Sequence, residues 1–287
     1  MALYSVCSLI IESDLLTESF SPFKVSNAIK PDNLDMKIRR VDHTHMNPKA
    51  NMTKVASLKH VNVWKHVNAE NKTHWVFELL NHMGTVSADE QYSDIEVYGY
   101  DFDGAIDEIF ISKIFAPCIQ IVLECKLIAT GFSILHSACV GIEGKAYAFT
   151  GASGTGKSTR AGNWCRLLNA EWISGDRPAI NVQEGFAYGV PWDGKEGIYR
   201  NYHCPLKAIL KVNRSENTYI QEITEREKMQ LLCEQTMIPM WDPMLVMQAM
   251  RSIKILIKNV PIYDIFCDIT DESTLKTYQI VSNTIRV

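Results

Sequence analysis

One nine-residue stretch limits this chain more than any other: GASGTGKST, residues 151–159, fills the spacing GxxxxGK(S/T). The apolar run before it, KAYAFT, reads as a strand. The run after it, TRAGNWCRLL (159–168), sets Ala161, Trp164, Cys165 and Leu168 on one side of a helix. Strand, glycine-rich turn and helix in that order form the phosphate-loop arrangement. Gly151, Gly154 and Gly156 let successive backbone N–H groups turn inward without a Cβ clash, and the helix that follows adds the positive end of its dipole. Ala152, Ser153, Thr155 and Thr159 complete the cradle. Lys157 can reach the β- and γ-phosphates, and the Ser158 hydroxyl can ligate Mg²⁺. The bland alternative is an ordinary glycine-rich strand–helix turn.

Phosphoryl transfer also needs an acid. EWISGDRPAI (171–180) reads as a strand ending at Gly175-Asp176, where a neighbouring parallel strand would deliver a carboxylate beside the phosphates. Asp176 then serves as a metal ligand, or as a general base for an acceptor hydroxyl, a role worth about 10²–10⁴ in rate. A strand-ending turn residue is the plain alternative.

The rest of the composition narrows the class. With 29 Lys+Arg against 33 Asp+Glu in 287 residues, the net charge of −4 leaves no basic footprint for nucleic acid. The eight cysteines include no CxxC pair, which favours reduced thiols over a disulfide framework. The longest apolar stretch, 109–132, carries Lys113, Glu124 and Lys126 and reads as a buried helix after Pro117, not as a membrane span. No basic leader opens the sequence, so the expected compartment is the cytoplasm, with no membrane partner.

Two domains are expected, both within an α/β class. Residues 1–112 contain alternating runs such as VNVWKHV (61–67) and THWVFELL (73–80), which suggest a smaller N-terminal α+β or β-rich module. Residues 42–60 read as a polar excursion. Residues 113–287 form the phosphate-loop domain. Within it, 137–151 reads as two strands joined at Glu143-Gly144, 186–197 as a glycine-rich loop, and 205–212 as a strand. Helices are expected over 225–237 and 243–258, the second with Asp242 as N-cap and Pro243 in its first turn. A last strand over 261–269 precedes a helix capped by Asp271.

At this point the sequence resembles the HPr kinase/phosphorylase-like group, and more distantly ATP-dependent phosphoenolpyruvate carboxykinase. The resemblance rests on ILHSACVGIEGKAYAFTGASGTGKSTRAGNW, WISGDRPAI, YGVPWDGKEGIYRN and PLKAI. It covers residues 134–212 and extends loosely to 287. It is nearer to the HPr kinase-like proteins of modified-peptide gene clusters. The resemblance implies a P-loop HPr kinase/carboxykinase-like C-terminal domain, ATP and Mg²⁺ as cofactors, self-association into a homo-oligomer, and a hydroxyl-bearing protein, peptide or small-molecule acceptor. It also implies a histidine on an adjacent strand, where His136 stands, a base at Asp176, and a metal-approaching glutamate, best matched by Glu196. Where that group carries two adjacent acids, this chain has Asp176 followed by Arg177, which can supply positive charge to the transferring phosphate. A phosphorylase activity is not carried over.

Several residues keep two readings. His136 is a proton relay or phosphate contact, or a core histidine satisfied by backbone. Trp192 and Asp193 belong to a loop that closes over a ligand, or to a turn anchored by the tryptophan. Lys195 and Arg200 steady transferred charge, or lie on a solvated surface. Six of the eight histidines fall between residues 43 and 82, His43-x-His45 among them, in spacings that match no metal template. Methionines 237, 240, 244, 247 and 250 are expected to fill the core. The expected function is therefore an ATP-dependent kinase transferring a γ-phosphoryl group to a hydroxyl. Carboxykinase-like chemistry and a non-catalytic, nucleotide-gated peptide-binding module are the alternatives.

Overall fold

The computed structural model describes residues 1–16, 18–25, 34–41, 52–80, 84–99, 108–192 and 196–284. His43, His45 and His82, and the loop residues Asp193 and Lys195, lie outside the described residues. The chain is mixed α/β and divides into two compact units, 1–129 with 239–243, and 130–238 with 244–287.

The first unit is built on a nine-stranded sheet. Its strands in chain order are β1 (Ala2–Val6), β2 (Leu9–Ser13), β3 (Lys24–Val25), β4 (Met36–Arg40), β5 (Thr53–Ser57), β6 (Val61–Val67), β7 (Thr73–Leu79), β8 (Gly84–Asp89) and β9 (Asp94–Gly99). In space they run β3-β1-β2-β4-β9-β8-β7-β6-β5, and β4 pairs in parallel with both β2 and β9. Alternating burial along β2 and β6 puts Leu9, Ile11, Val61 and Val63 inside. Helix α1 (Glu108–Ala129) packs on β7 and β8, with Phe115, Val122, Leu123 and Leu127 buried. Gly84 admits Phe115, because a Cβ there would lie 2.4 Å from its ring and 2.2 Å from the Tyr98 carbonyl oxygen. The sequence places the division at 112/113, but the packing of α1 on the first sheet moves it to 129/130. Pro117 lies inside this helix instead of opening it. Residues 239–243 return to the first unit, where the Tyr92 hydroxyl donates to Asp242 Oδ2 at 3.0 Å.

The second unit carries β10 (Phe132–Ile134), β11 (Ser137–Ile142), β12 (Lys145–Thr150), α2 (Lys157–Leu168), β13 (Glu171–Ser174), β14 (Ala179–Asn181) and β15 (Phe186–Tyr188). It continues with β16 (His203–Arg214), β17 (Tyr219–Glu222), α3 (Glu225–Gln235), α4 (Pro243–Asn259), β18 (Ile262–Cys267) and α5 (Asp271–Thr284). The sheet order is β10-β14-β15-β16-β12-β11-β13, with β18 beside the second half of β16 and β17 beyond it. Strands β12, β16 and β18 run in parallel, β11 opposes β12, and β13 opposes β11. Hence β13, β12, β16 and β18 all point the same way.

Helices cover both faces. On one, Trp164 of α2 is 1% exposed and meets Phe149, Tyr147 and Tyr278 edge-on at 5.0, 5.2 and 5.2 Å between centroids. On the other, Leu232 of α3 and Ile253 and Leu256 of α4 pack with Cys139, Ala148, Ile173 and Ile209. Helix α3 opens with a capping box between Thr224 and Glu227. Three of the five methionines depart from expectation: Met240, Met244 and Met247 are 74, 70 and 65% exposed, whereas Met250 packs against the core. Among the described residues no helix is long and apolar enough to cross a membrane.

Candidate functional site

The shared direction of β13, β12, β16 and β18 brings four carboxyl ends to one edge of the sheet. The start of β11 lies at the same edge because β11 opposes its neighbours. In open α/β sheets this edge is where ligands bind. The chain turns there from β12 into the glycine-rich loop and then into α2. Gly156 is the N-cap of α2 at φ 99°, and Gly154 sits at φ 80°, left-handed conformations that any side chain would strain. No residue of the loop precedes the helix with a side-chain cap, so the first backbone N–H groups of α2 are left for a ligand. Ala152, Ser153 and Gly154 are exposed, and Thr155 Oγ1 donates to the Ala152 carbonyl at 2.9 Å.

Lys157 folds back over this loop. Its Nζ donates to the carbonyls of Gly151 at 2.9 Å and Ala152 at 3.2 Å. Burial lowers its pKa, while the nearby Asp176 carboxylate works the other way. Ser158 is half-buried, and its hydroxyl has no hydrogen-bond partner among the described residues. Thr159 is exposed one position on.

Asp176 reaches the site from β13. That strand is not the immediate neighbour of β12, as the sequence suggests, since β11 lies between them. Its direction nonetheless matches β12, so the turn after it arrives at the correct edge. The Asp176 carbonyl accepts from Ser137 N–H at 2.7 Å, and the Thr150 hydroxyl donates to the His136 carbonyl at 2.9 Å. These bonds stitch the ends of β13, β11 and β12 together. His136 Nε2 then lies 3.4 Å from Asp176 Oδ1, and Arg177 Nε 3.7 Å from Oδ2. All three side chains remain about one-third or more exposed. Burial pushes the His136 pKa down and the Lys157 charge adds to that, against the pull of Asp176. Its environment therefore favours the neutral imidazole, and its backbone N–H donates to the Gln235 carbonyl at 2.7 Å.

The other expected residues fall in different places. Trp192 is buried, and its indole N–H donates to the Arg177 carbonyl at 3.1 Å, so it anchors the loop against the Asp176–Arg177 turn. Arg200 is held at the opposite end of β13, donating to Glu171 Oε2 at 3.0 Å and to the Trp172 carbonyl at 3.2 Å. It is not brought to the Lys157–Asp176 cluster. Glu196 is exposed in the loop segment that follows residues 193–195.

Three segments beyond sequence reasoning meet the outer side of the loop. Arg214, at the end of β16, donates to the Gly154 carbonyl at 2.6 Å. Arg160, in the first turn of α2, is 3% exposed and donates to the carbonyls of Cys267 and Asp268. Between these segments runs an open groove of about 550 Å³, walled by the turn 155–160, residues 214–216 and residues 267–269. The only sequence signals were an arginine on the inward side of α2, next to Ala161, and one closing the β16 run.

Among the described residues no group of three or more His, Cys, Asp and Glu side chains could hold a metal ion. The donors at the loop, the Ser158 hydroxyl and the Asp176 carboxylate, are hard oxygens. They suit Mg²⁺, which is bound through one or two side chains and substrate phosphates instead of a protein cage. No protein-family model matches the chain, and no match is found among curated proteins.

Proposed function

We propose that this protein is an ATP-dependent phosphotransferase of the HPr kinase-like type, moving a γ-phosphoryl group onto a hydroxyl of a peptide, protein or small molecule in the cytoplasm. The observation that carries the reading is the meeting, at one sheet edge, of the Lys157 loop with the Asp176–His136 pair. The loop N–H groups and Lys157 bind the triphosphate, with Lys157 exchanging backbone carbonyls for phosphate oxygens. Asp176 accepts the proton of the acceptor hydroxyl as its oxygen bonds to the γ-phosphorus and the bond to the β-phosphate oxygen breaks, releasing ADP. Neutral His136 adds no further positive charge beside Asp176. Arg177, on the other carboxylate oxygen, lies where charge on the transferring group can be steadied. Ser158 and Asp176, together with the triphosphate, would hold Mg²⁺, which would supply positive charge against that of the phosphate oxygens. The eight free cysteines are in keeping with a reducing compartment.

The test is a phosphate-transfer assay with labelled ATP and serine-containing peptides or small polyols, comparing wild type with Asp176→Asn. Wild-type transfer that falls by at least about 10²-fold in the variant supports the base. Undiminished transfer in the variant removes it, and tight nucleotide binding without wild-type turnover replaces the kinase with a binding module.

A further inference from the structure

Helix α4 has two working faces. Leu245, Ala249, Ser252, Ile253 and Leu256 recur at helical spacing and are buried, seating the helix on the sheet. On the opposite side Met244, Met247, Arg251, Lys254 and Lys258 are all exposed. They follow one another at intervals of three, four, three and four, the spacing that holds side chains in one strip along a helix. At about 1.5 Å per residue the strip is about 21 Å long.

Its chemistry changes along its length. At the start, Met244 and Met247 are 70 and 65% exposed, two large apolar side chains next to one another in water. Beyond them come three cations. The helix carries no acidic residue, in a chain whose net charge is −4. The side chains of Arg251, Lys254 and Lys258 make no ion pair or hydrogen bond among the described residues. An apolar pair followed by three unpaired positive charges is complementary to a segment that offers apolar side chains and then carboxylates at the same spacing.

We propose that this strip docks an acidic amphipathic helix of a protein partner. Methionine side chains adapt to the apolar residues of such a helix, and Arg251, Lys254 and Lys258 face its carboxylates. An antiparallel alignment puts the acids in the partner's first turns, where they also suit its own helix dipole. A second copy fits worse, because strips apposed on a two-fold axis set Arg251 against its own mate. An anionic membrane fits worse as well. Lipid-binding clusters carry roughly four to eight basic residues, and the main apolar face of α4 is already spent on the core. The strip shares no residue with the phosphate loop or the Asp176 turn, so the proposal goes beyond phosphate transfer and does not depend on it.

The experiment is fluorescence anisotropy on the full chain without nucleotide. The probe is a labelled helical peptide of about 15 residues, with glutamates in its first two turns and leucines at matching spacing in its last two. Wild type should bind it about tenfold more tightly than the same peptide with glutamine for glutamate. Met244→Ser with Met247→Ser should weaken binding several-fold. Arg251→Glu with Lys254→Glu should abolish it and transfer binding to a peptide bearing lysine in place of glutamate. Both of those positions are exposed, and the gained binding itself reports a folded variant. Absence of binding to the acidic peptide, equal affinity for the glutamine peptide, or indifference to the charge exchange overturns the proposal. So does strip-dependent binding to phosphatidylserine vesicles, or strip-dependent self-association in sedimentation, without binding of the acidic peptide.

Discussion

Replacing Lys157 by methionine keeps the length of the side chain and removes its charge, so the consequence can be worked from the loop geometry. In the structure Nζ donates to two backbone carbonyls at 2.9 and 3.2 Å, and the side chain is half-buried. On binding a triphosphate, these ammonium–carbonyl contacts are exchanged for contacts in which the acceptor is charged as well. The attraction between opposite unit charges about 4 Å apart is about 4 kcal/mol at an effective dielectric of about 20, against about 1.5–3 kcal/mol for a carbonyl contact given up. If only one carbonyl contact is surrendered, the net contribution of the ammonium is about 1–2 kcal/mol, or roughly 5- to 30-fold in Kd. Lys157→Met should therefore weaken Mg²⁺–tripolyphosphate binding by that factor in calorimetry. Lys157→Arg should lie between, because a planar fork cannot sit over the two carbonyls as an ammonium does. The loss of two carbonyl contacts should lower thermal stability only slightly, which separates binding from folding. Unchanged tripolyphosphate affinity in the folded Lys157→Met variant would refute the assignment of the loop to phosphate.

Because the folded protein holds His136 below its unfolded value of about 6.5, the unfolded chain binds the proton more readily. Stability is then full above that value and declines as pH falls through it; the drop in urea midpoint between pH 7.5 and pH 5.5 should be smaller in His136→Gln than in wild type. Trp164→Ala removes a side chain that is 1% exposed, together with three edge-on aromatic contacts, and should lower unfolding free energy by about 3–5 kcal/mol in guanidinium titrations. A Cβ at Gly189 would lie 2.0 Å from the Arg200 carbonyl oxygen and 2.8 Å from that of Ile173, both backbone atoms; Gly189→Ala should lower unfolding free energy by about 1–3 kcal/mol, read from the same titrations.

What was legible in the sequence was local. Glu143-Gly144 reads as the joint between two strands, and both residues adopt positive φ, 50° and 72°, in a turn whose handedness suits a hairpin. Pro243 opens α4 where its missing N–H costs nothing. Asp271 was a near miss. Asp268 accepts from the N–H and hydroxyl of Thr270, Thr270 Oγ1 accepts from Ser273 N–H, and Asp271 becomes the first helical residue, paired with Arg166. The first unit was harder, since only 61–80 alternates plainly. Strands such as MKIRR and TKVAS carry charges outward, and their strand character is set by neighbours distant in sequence.

The site divides along the same line. Lys157 and Ser158 were legible because the candidate phosphate loop is a contiguous motif, whereas the groove joins turns near residues 157, 215 and 268, which no spacing links. Arg200 shows the converse. A basic residue near a glycine-rich segment invites a phosphate role, but the pairing of β15 with β16 carries it to Glu171, at the wrong end of β13. Asp176 depends on a detail finer than strand order. Along β11, Cys139 pairs with Ser174 and Val140 with Trp172, so β13 has one residue more than its partner. Such a bulge re-aims the chain beyond it, and what lies beyond is the Gly175-Asp176 turn. Without the extra residue, the alternation of β13 would present Asp176 to the opposite face. The Asp176–His136 approach of 3.4 Å therefore follows from an irregularity between two strands: the Gly175-Asp176 turn can be read from the sequence, but the aim of its carboxylate cannot.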